Sequence, residues 1–158
     1  MIFLTIGTQL PFDRLVNAMD SIAPSLDEEI FAQIGSSSII PRNFKYAASL
    51  SPAEFGERFR AARIVVAHAG IGTILAGMEH QKSLVLMARR SSLGEHRNDH
   101  QLATISQMKR IRGIYEAEDA GQLGSILAAP DIEAMSNEIT ASRKSLLGGL
   151  RGEIFGVR

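Results

Sequence analysis

Short apolar runs alternate along the chain with longer segments whose apolar residues recur every three or four positions. The first run, IFLTI (Ile2–Ile6), is almost wholly apolar or β-branched and ends at Gly7, the pattern of a strand buried on both faces. In the segment after it, Phe12, Leu15, Val16, Met19 and Ile22 fall at helical spacing, and Pro11 suits a first helical turn. EIFAQIG (Glu29–Gly35) predicts a second strand, SSSIIPRN a loop, and Phe44–Ala48 a short strand. SPAEFGERFRAA opens a helix with Ser51, Pro52 and Glu54, a capping box with proline at the first helical position. RIVVAHAG then predicts strand and loop, IGTILAGMEHQ a helix, and SLVLMA a strand. HRNDHQLATISQMKRI predicts a helix with Leu102, Ile105 and Met108 on one face. GIYEA predicts the last strand, DAGQLGSILAAP a helix ended by Pro130, and Ile132 to about Leu147 a further amphipathic helix.

Strands alternating with helices at this spacing imply βαβ units and a parallel sheet. The expected fold class is therefore α/β: a Rossmann-like parallel sheet with helices on both faces, over residues 1–147. The glycine-rich GGLRGEIFGVR predicts a flexible C-terminal tail at 148–158. No internal repeat and no linker divides the chain, and its 158 residues fit one domain.

Composition narrows the classes of function. The 17 basic and 17 acidic residues cancel, so no bulk charge favours nucleic acid or an anionic membrane. The chain has no cysteine, which excludes disulfides, thiolate nucleophiles and thiolate metal sites. MIFLTIGTQLPFDRL lacks the basic start and long apolar core of a signal peptide. No apolar run approaches the roughly 20 residues that span a bilayer. The expectation is a cytoplasmic protein that reaches a membrane only through a partner or an amphipathic surface.

Ligands of open parallel sheets bind at the carboxyl ends of the strands, and three loops there carry chemistry. GTQ (Gly7–Gln9) follows the first strand, either as a plain turn or as a close backbone approach to a ligand. HAGIGT follows the fourth. Gly70 and Gly72 clear space at a helix N-terminus, Thr73 offers a hydroxyl and His68 a hydrogen bond to phosphate. The alternative is close helix–sheet packing by the glycines and a satisfied interior histidine. Neither a Walker loop nor a dinucleotide fingerprint is present. RRSSLGEHRNDHQ (Arg89–Gln101) places His96 and His100 four residues apart, with Glu95 and Asp99 nearby. No third metal ligand is evident. Helix capping by Asn98 or Asp99 and hydrogen bonding to a polar ligand such as a sugar are the two other readings.

Together, TIGTQLPFDRL and HAGIGTILAGMEHQKSLVLMARRSSLGEHRNDHQ resemble the donor-binding domain of GT-B glycosyltransferases of the family-28 type. Within that group the resemblance is to the small Alg13-like and PssE/EpsE-like catalytic subunits of two-component enzymes, over roughly residues 1–129. It implies a UDP-sugar donor, no separate cofactor and no metal. It assigns Gly7, Thr8, His68, Gly70, Gly72 and Thr73 to the diphosphate, Leu50 to the uracil, and Asn98, His100 and Gln101 to the donor sugar. Many relatives carry a ribose-binding carboxylate where this chain has Ala76; Glu79, one turn later, is the available substitute. The resemblance further implies an Alg14-like or PssD-like membrane-bound partner that carries a lipid-linked acceptor and the catalytic base, in exopolysaccharide or glycolipid synthesis. The protein would then lie peripherally on the inner face of a membrane. Two readings of other classes stand beside it: a non-catalytic nucleotide-sugar-binding regulatory module, and a homo-oligomer that binds another phosphorylated ligand.

Overall fold

The computed structural model describes residues 1–136 and Gly148. Its strands are β1 (Ile2–Thr5), β2 (Ile30–Gln33), β3 (Lys45–Ala47), β4 (Ile64–His68), β5 (Ser83–Met87) and β6 (Ile114–Glu116). Its α-helices, among the described residues, are α1 (Asp13–Ile22), α2 (Pro52–Ala61), α3 (Ile71–Glu79), α4 (His100–Met108) and α5 (Ala120–Ala128). The six strands form one sheet in the order β3-β2-β1-β4-β5-β6, and every adjacent pair is parallel. The Rossmann-like α/β expectation is met.

The strands at the centre are apolar along most of their length because both faces are covered; their polar residues, Thr5, His68 and Ser83, stand at strand ends. Ile2 and Leu4 of β1, Ile64 and Val66 of β4, and Val85 and Met87 of β5 join one apolar layer with Leu15, Val16 and Met19 of α1 and Leu123 and Leu127 of α5. The intervening Phe3, Val65, Leu84 and Leu86 join the opposite layer with Phe59 of α2, Ile74 and Met78 of α3, and Ile105 and Met108 of α4. The period of two along each strand thus sorts the side chains into two cores. Phe3, Phe55 and Phe59 pack edge-to-face or tilted in the second, with centroids 5.4–6.5 Å apart.

The capping box on α2 is formed: Ser51 Oγ accepts from the Glu54 amide, and the Glu54 carboxylate accepts from the Ser51 amide. Three expectations shift. Pro11 lies outside the helix, because Phe12 is the N-cap of α1 and its fully buried ring takes the place next to the core. Leu102 is 36% exposed, whereas the neighbouring Gln101 is buried. Residues 132–136 are not helical but form a strap across the sheet. The Glu133 amide donates to Tyr115 Oη (2.9 Å), Ser83 Oγ donates to the Glu133 carbonyl (2.8 Å), and Met135 is buried in the second core. The rest of the helix expected there, the boundary at residue 147 and, apart from Gly148, the expected tail lie outside the described residues.

Close packing sets the height of α3 over the sheet. A Cβ on Gly77 would stand 2.5 Å from Leu84 Cδ1, and Leu84 is fully buried. Alanine gains about 1 kcal/mol in helix propensity, but overpacking a core costs about 1–3 kcal/mol. Gly77→Ala is therefore expected to lower stability in urea titrations. Equal or higher stability would show that α3 is free to lift off β5.

Candidate functional site

β1 and β4 are neighbours in the sheet, yet the helices that follow them cover opposite faces. Their loops part at the carboxyl end and leave a cleft of about 590 Å³, lined by Gly7–Leu10 and by His68, Gly70–Thr73, Arg89, His96 and Gln101. A second hollow of about 700 Å³ adjoins it, sharing Gln9, Leu10 and His96 and adding Gly94, Glu95, Arg97 and Asn98.

The floor begins in buried polar groups. Thr5 Oγ1 donates to Gln33 Oε1 (3.2 Å) and accepts from the Gly7 amide (3.3 Å), which holds the turn where β1 ends. His68, the last residue of β4, projects beside that turn. Its ring lies between two glycines: a Cβ on Gly70 would come 2.2 Å from Nε2, and one on Gly7 2.8 Å from Cε1. Gly7 also has φ +77°, so glycine is favoured there twice over. The Nδ1 of His68 is buried with no hydrogen-bond partner. Burial, then the nearby Arg89 charge, push the imidazole pKa down to about 4, with His96 acting in the same direction more weakly and the Thr5 backbone opposing. The ring is accordingly neutral near pH 7.

The N-terminus of α3 opens on the same cleft. Ser51 and Asp119 cap α2 and α5 through their side chains, whereas the N-cap of α3 is Gly70, with no side-chain cap. The first amides of α3 therefore remain available to an anion, at the positive end of the helix. A side chain at Gly72 would meet nothing within 4 Å.

Arg89 closes the cleft from β5. It is 2% exposed, and its guanidinium donates to the carbonyls of Ile6 (2.7 Å), Leu10 (2.9 Å) and Pro11 (2.7 Å). Its amide donates to Gln101 Oε1 (3.0 Å). Glu95 is held apart by Arg14, whose Nε and Nη2 donate to its two oxygens at 2.8 and 3.0 Å. Burial raises the Glu95 pKa, but Arg14, the Arg90 amide and the Arg89 charge outweigh it and keep the carboxylate below its ordinary value. No carboxylate lines the first cleft among the described residues.

Of the residues singled out by sequence, the cleft brings together Gly7, Thr8, His68, Gly70, Gly72, Thr73 and Gln101. Asn98 lies in the adjoining hollow, where its Oδ1 accepts from the His100 amide. His100 is exposed and lines neither space, and Leu50 packs against the second core outside the cleft. Glu79 is exposed at the last position of α3, roughly 9 Å along the helix from Thr73. Ala76 packs against the second core. No three His, Cys, Asp or Glu side chains gather as a metal-ligand set among the described residues. Sequence reasoning placed Gln9 and Arg89 in two of its three candidate loops but gave neither a role, and it passed over Leu10. The signal for Arg89 was an arginine placed directly after the unbroken apolar run SLVLMA.

Residues 1–124 match the family model described as the glycosyltransferase family 28 C-terminal domain. Among curated proteins, none matches the chain. Among solved structures, a glycotransferase of kitacinnamycin is similar with a TM-score of 0.61 and 15% identity, over 98% of this chain and 39% of that one. The glycosyltransferase SnogD from Streptomyces nogalater gives 0.59 and 16%, over 98% of this chain and 38% of that one. The NMR structure of ALG13 gives 0.61 and 14%, over 98% of this chain and 96% of that one. The chain thus spans about two fifths of the first two proteins and nearly all of the third. At these identities the likeness is one of fold.

The imidazole of His68 makes stability depend on pH. With a folded pKa of about 4 against an ordinary 6.5, the folded state binds fewer protons than the unfolded chain between those values. The contribution is intact above about pH 6.5 and is lost as pH falls toward 4, by up to about 3 kcal/mol. His68→Gln is expected to flatten the fall of unfolding free energy across that window. An unchanged slope would assign the acid sensitivity to other groups.

Proposed function

Because this chain belongs to the glycosyltransferase family 28 C-terminal domain family, we propose that it is the donor-binding, catalytic subunit of a two-component glycosyltransferase that moves a sugar from a UDP-sugar to a lipid-linked acceptor. The observation that carries this reading is the convergence of the uncapped α3 N-terminus, the neutral His68 and the buried Arg89 on one cleft. Departure of UDP builds negative charge on a phosphate oxygen, and aimed backbone amides beside a cation stabilise such charge in place. His68 Nε2, the ring nitrogen not sealed in the interior, donates to the diphosphate. Thr8 and Thr73 add hydroxyls from either lip. Gln101 and Asn98 hold the donor sugar toward the second hollow. No cofactor or metal enters the proposal: the α3 amides and Arg89 take the part of a cation.

The acceptor hydroxyl needs a base. The absence of carboxylates from the described lining of the cleft supports a base supplied by a second, Alg14-like or PssD-like membrane-bound subunit. Leu10 (40% exposed), Leu93 (57%) and Leu102 stand at the same end of the sheet as the cleft and give such a subunit apolar surface to cover. No helix among the described residues is long and apolar enough to cross a membrane, so the partner supplies the membrane attachment in this reading. The same lack of a carboxylate in the described lining also fits a second reading, a nucleotide-sugar-binding module without catalysis. Activity on addition of partner and lipid-linked acceptor separates the two.

Calorimetry with UDP, UDP-GlcNAc, UDP-glucuronate and dTDP tests the donor. Binding of UDP and of one UDP-sugar in preference to dTDP is expected, and failure of every uridine ligand to bind would end this reading. A bulky residue at position 72 gives a sharper test, because it enters open space at the lip of the cleft. Gly72→Phe is expected to leave the melting temperature within a few degrees and to weaken UDP about tenfold or more, the loss of one to two good hydrogen bonds to a charged group. Unchanged UDP affinity would place the diphosphate elsewhere.

A further inference from the structure

A buried cation without a partner carboxylate is costly unless its donors are satisfied. Arg89 is such a group: among the described residues no carboxylate forms an ion pair with it. The one carboxylate that acts on it, Glu95, has its oxygens taken by Arg14 and by the Arg90 amide (2.9 Å). All three acceptors of the Arg89 guanidinium, the carbonyls of Ile6, Leu10 and Pro11, belong to the single connection between β1 and α1. The Phe12 ring ends that connection 4.9 Å from the guanidinium carbon. One side chain on β5's outgoing loop therefore ties down the whole lip that carries Gly7, Thr8 and Gln9, and it leaves its charge unneutralised at the cleft wall.

The geometry assigns to Arg89 the role of positioning residue for a diphosphate: it pins the lip after β1 over the cleft and keeps there a positive charge that only an incoming anion neutralises. This rests on the donor-site reading above. Neutral donors could satisfy the carbonyls equally well, and the use of a permanent cation instead points to an anionic ligand. Arg14 completes the arrangement from α1, because by binding Glu95, the Ala88 carbonyl (2.7 Å) and the Glu118 carbonyl (3.1 Å) it withholds Glu95 from pairing with Arg89.

Two variants separate charge from shape. Arg89→Lys keeps a cation and loses the fork; Arg89→Gln keeps amide donors and loses the charge. Uridine, UDP and inorganic pyrophosphate are titrated into each folded variant by calorimetry, with thermal melts as control. Arg89→Gln is expected to weaken UDP and pyrophosphate about tenfold while uridine changes less than about threefold, and Arg89→Lys to recover most of the anion affinity. Equal losses for uridine and UDP, or a lysine variant as weak as the glutamine one, would overturn the assignment and leave the donor site standing. Pyrophosphate binding that depends on Arg89 in a protein that ignores UDP would overturn the donor reading and leave Arg89's role standing. A wild-type protein that binds neither overturns both. If Arg89→Gln does not fold, Arg89→Lys decides alone. Retained pyrophosphate affinity with faster amide exchange at residues 8–10 supports the role, and parallel loss of uridine and pyrophosphate overturns it.

Discussion

Everything distinctive in this molecule follows from two parallel neighbours whose chains leave in opposite directions. β1 pairs along its whole length with β4, from Ile2 with Ile64 to Thr5 with Ala67. Both are apolar on both faces, so each face needs its own helical cover. α1 takes one and α3 takes the other. Two loops that start side by side must therefore diverge, and the gap between them exists before any functional side chain is placed. The helix end, the histidine and the arginine are set around an opening that hydrophobic burial has already made.

Charge within that opening is arranged asymmetrically. A neutral ring, a set of free amides and one unpaired guanidinium face it, and the described lining holds no carboxylate. In a partly enclosed cleft such dipoles act through less water than at an open surface. The groups also depend on one another. The Arg89 charge is part of what keeps His68 unprotonated, so that the ring stands beside the cleft neutral and not as a second cation. An anion in the cleft would oppose the charge effect while adding to the burial of the ring.

The alternation of strands and helices was readable because the period-two and period-3.6 patterns coincide with real burial in β1, β4, β5, α1 and α5. It failed where burial serves a polar need. Gln101 is inside and Leu102 outside because the Arg89 amide needs the glutamine carbonyl. Ile132 and Met135 have helical spacing, but a strap held at Glu133 and Met135 satisfies the same spacing without a helix. At the site, the glycines signalled a loop, yet their spacing did not reveal that an imidazole fills the space beside Gly7 and Gly70. The helix–sheet packing that glycines could have served is instead the work of Gly77. The role of Arg89 could not be read from the sequence because its partners are backbone carbonyls some eighty residues away, which carry no side-chain signature. Leu50, Glu79 and His100 were assigned by likeness to a family, and in this fold they stand apart from the cleft.

The ring of His68 and the missing side chains of Gly7 and Gly70 share one volume. A residue with a Cβ has no room at either glycine while position 68 keeps a ring. A smaller residue at 68 would leave a hole that neither glycine can fill. Three positions, two of them sixty residues from the third, thus behave as one heritable unit. A change at 70 is blocked until 68 has moved, and Gly7 stays held by its left-handed backbone even then, so this corner of the site changes only by paired substitution at 68 and 70, however freely the surrounding loops vary.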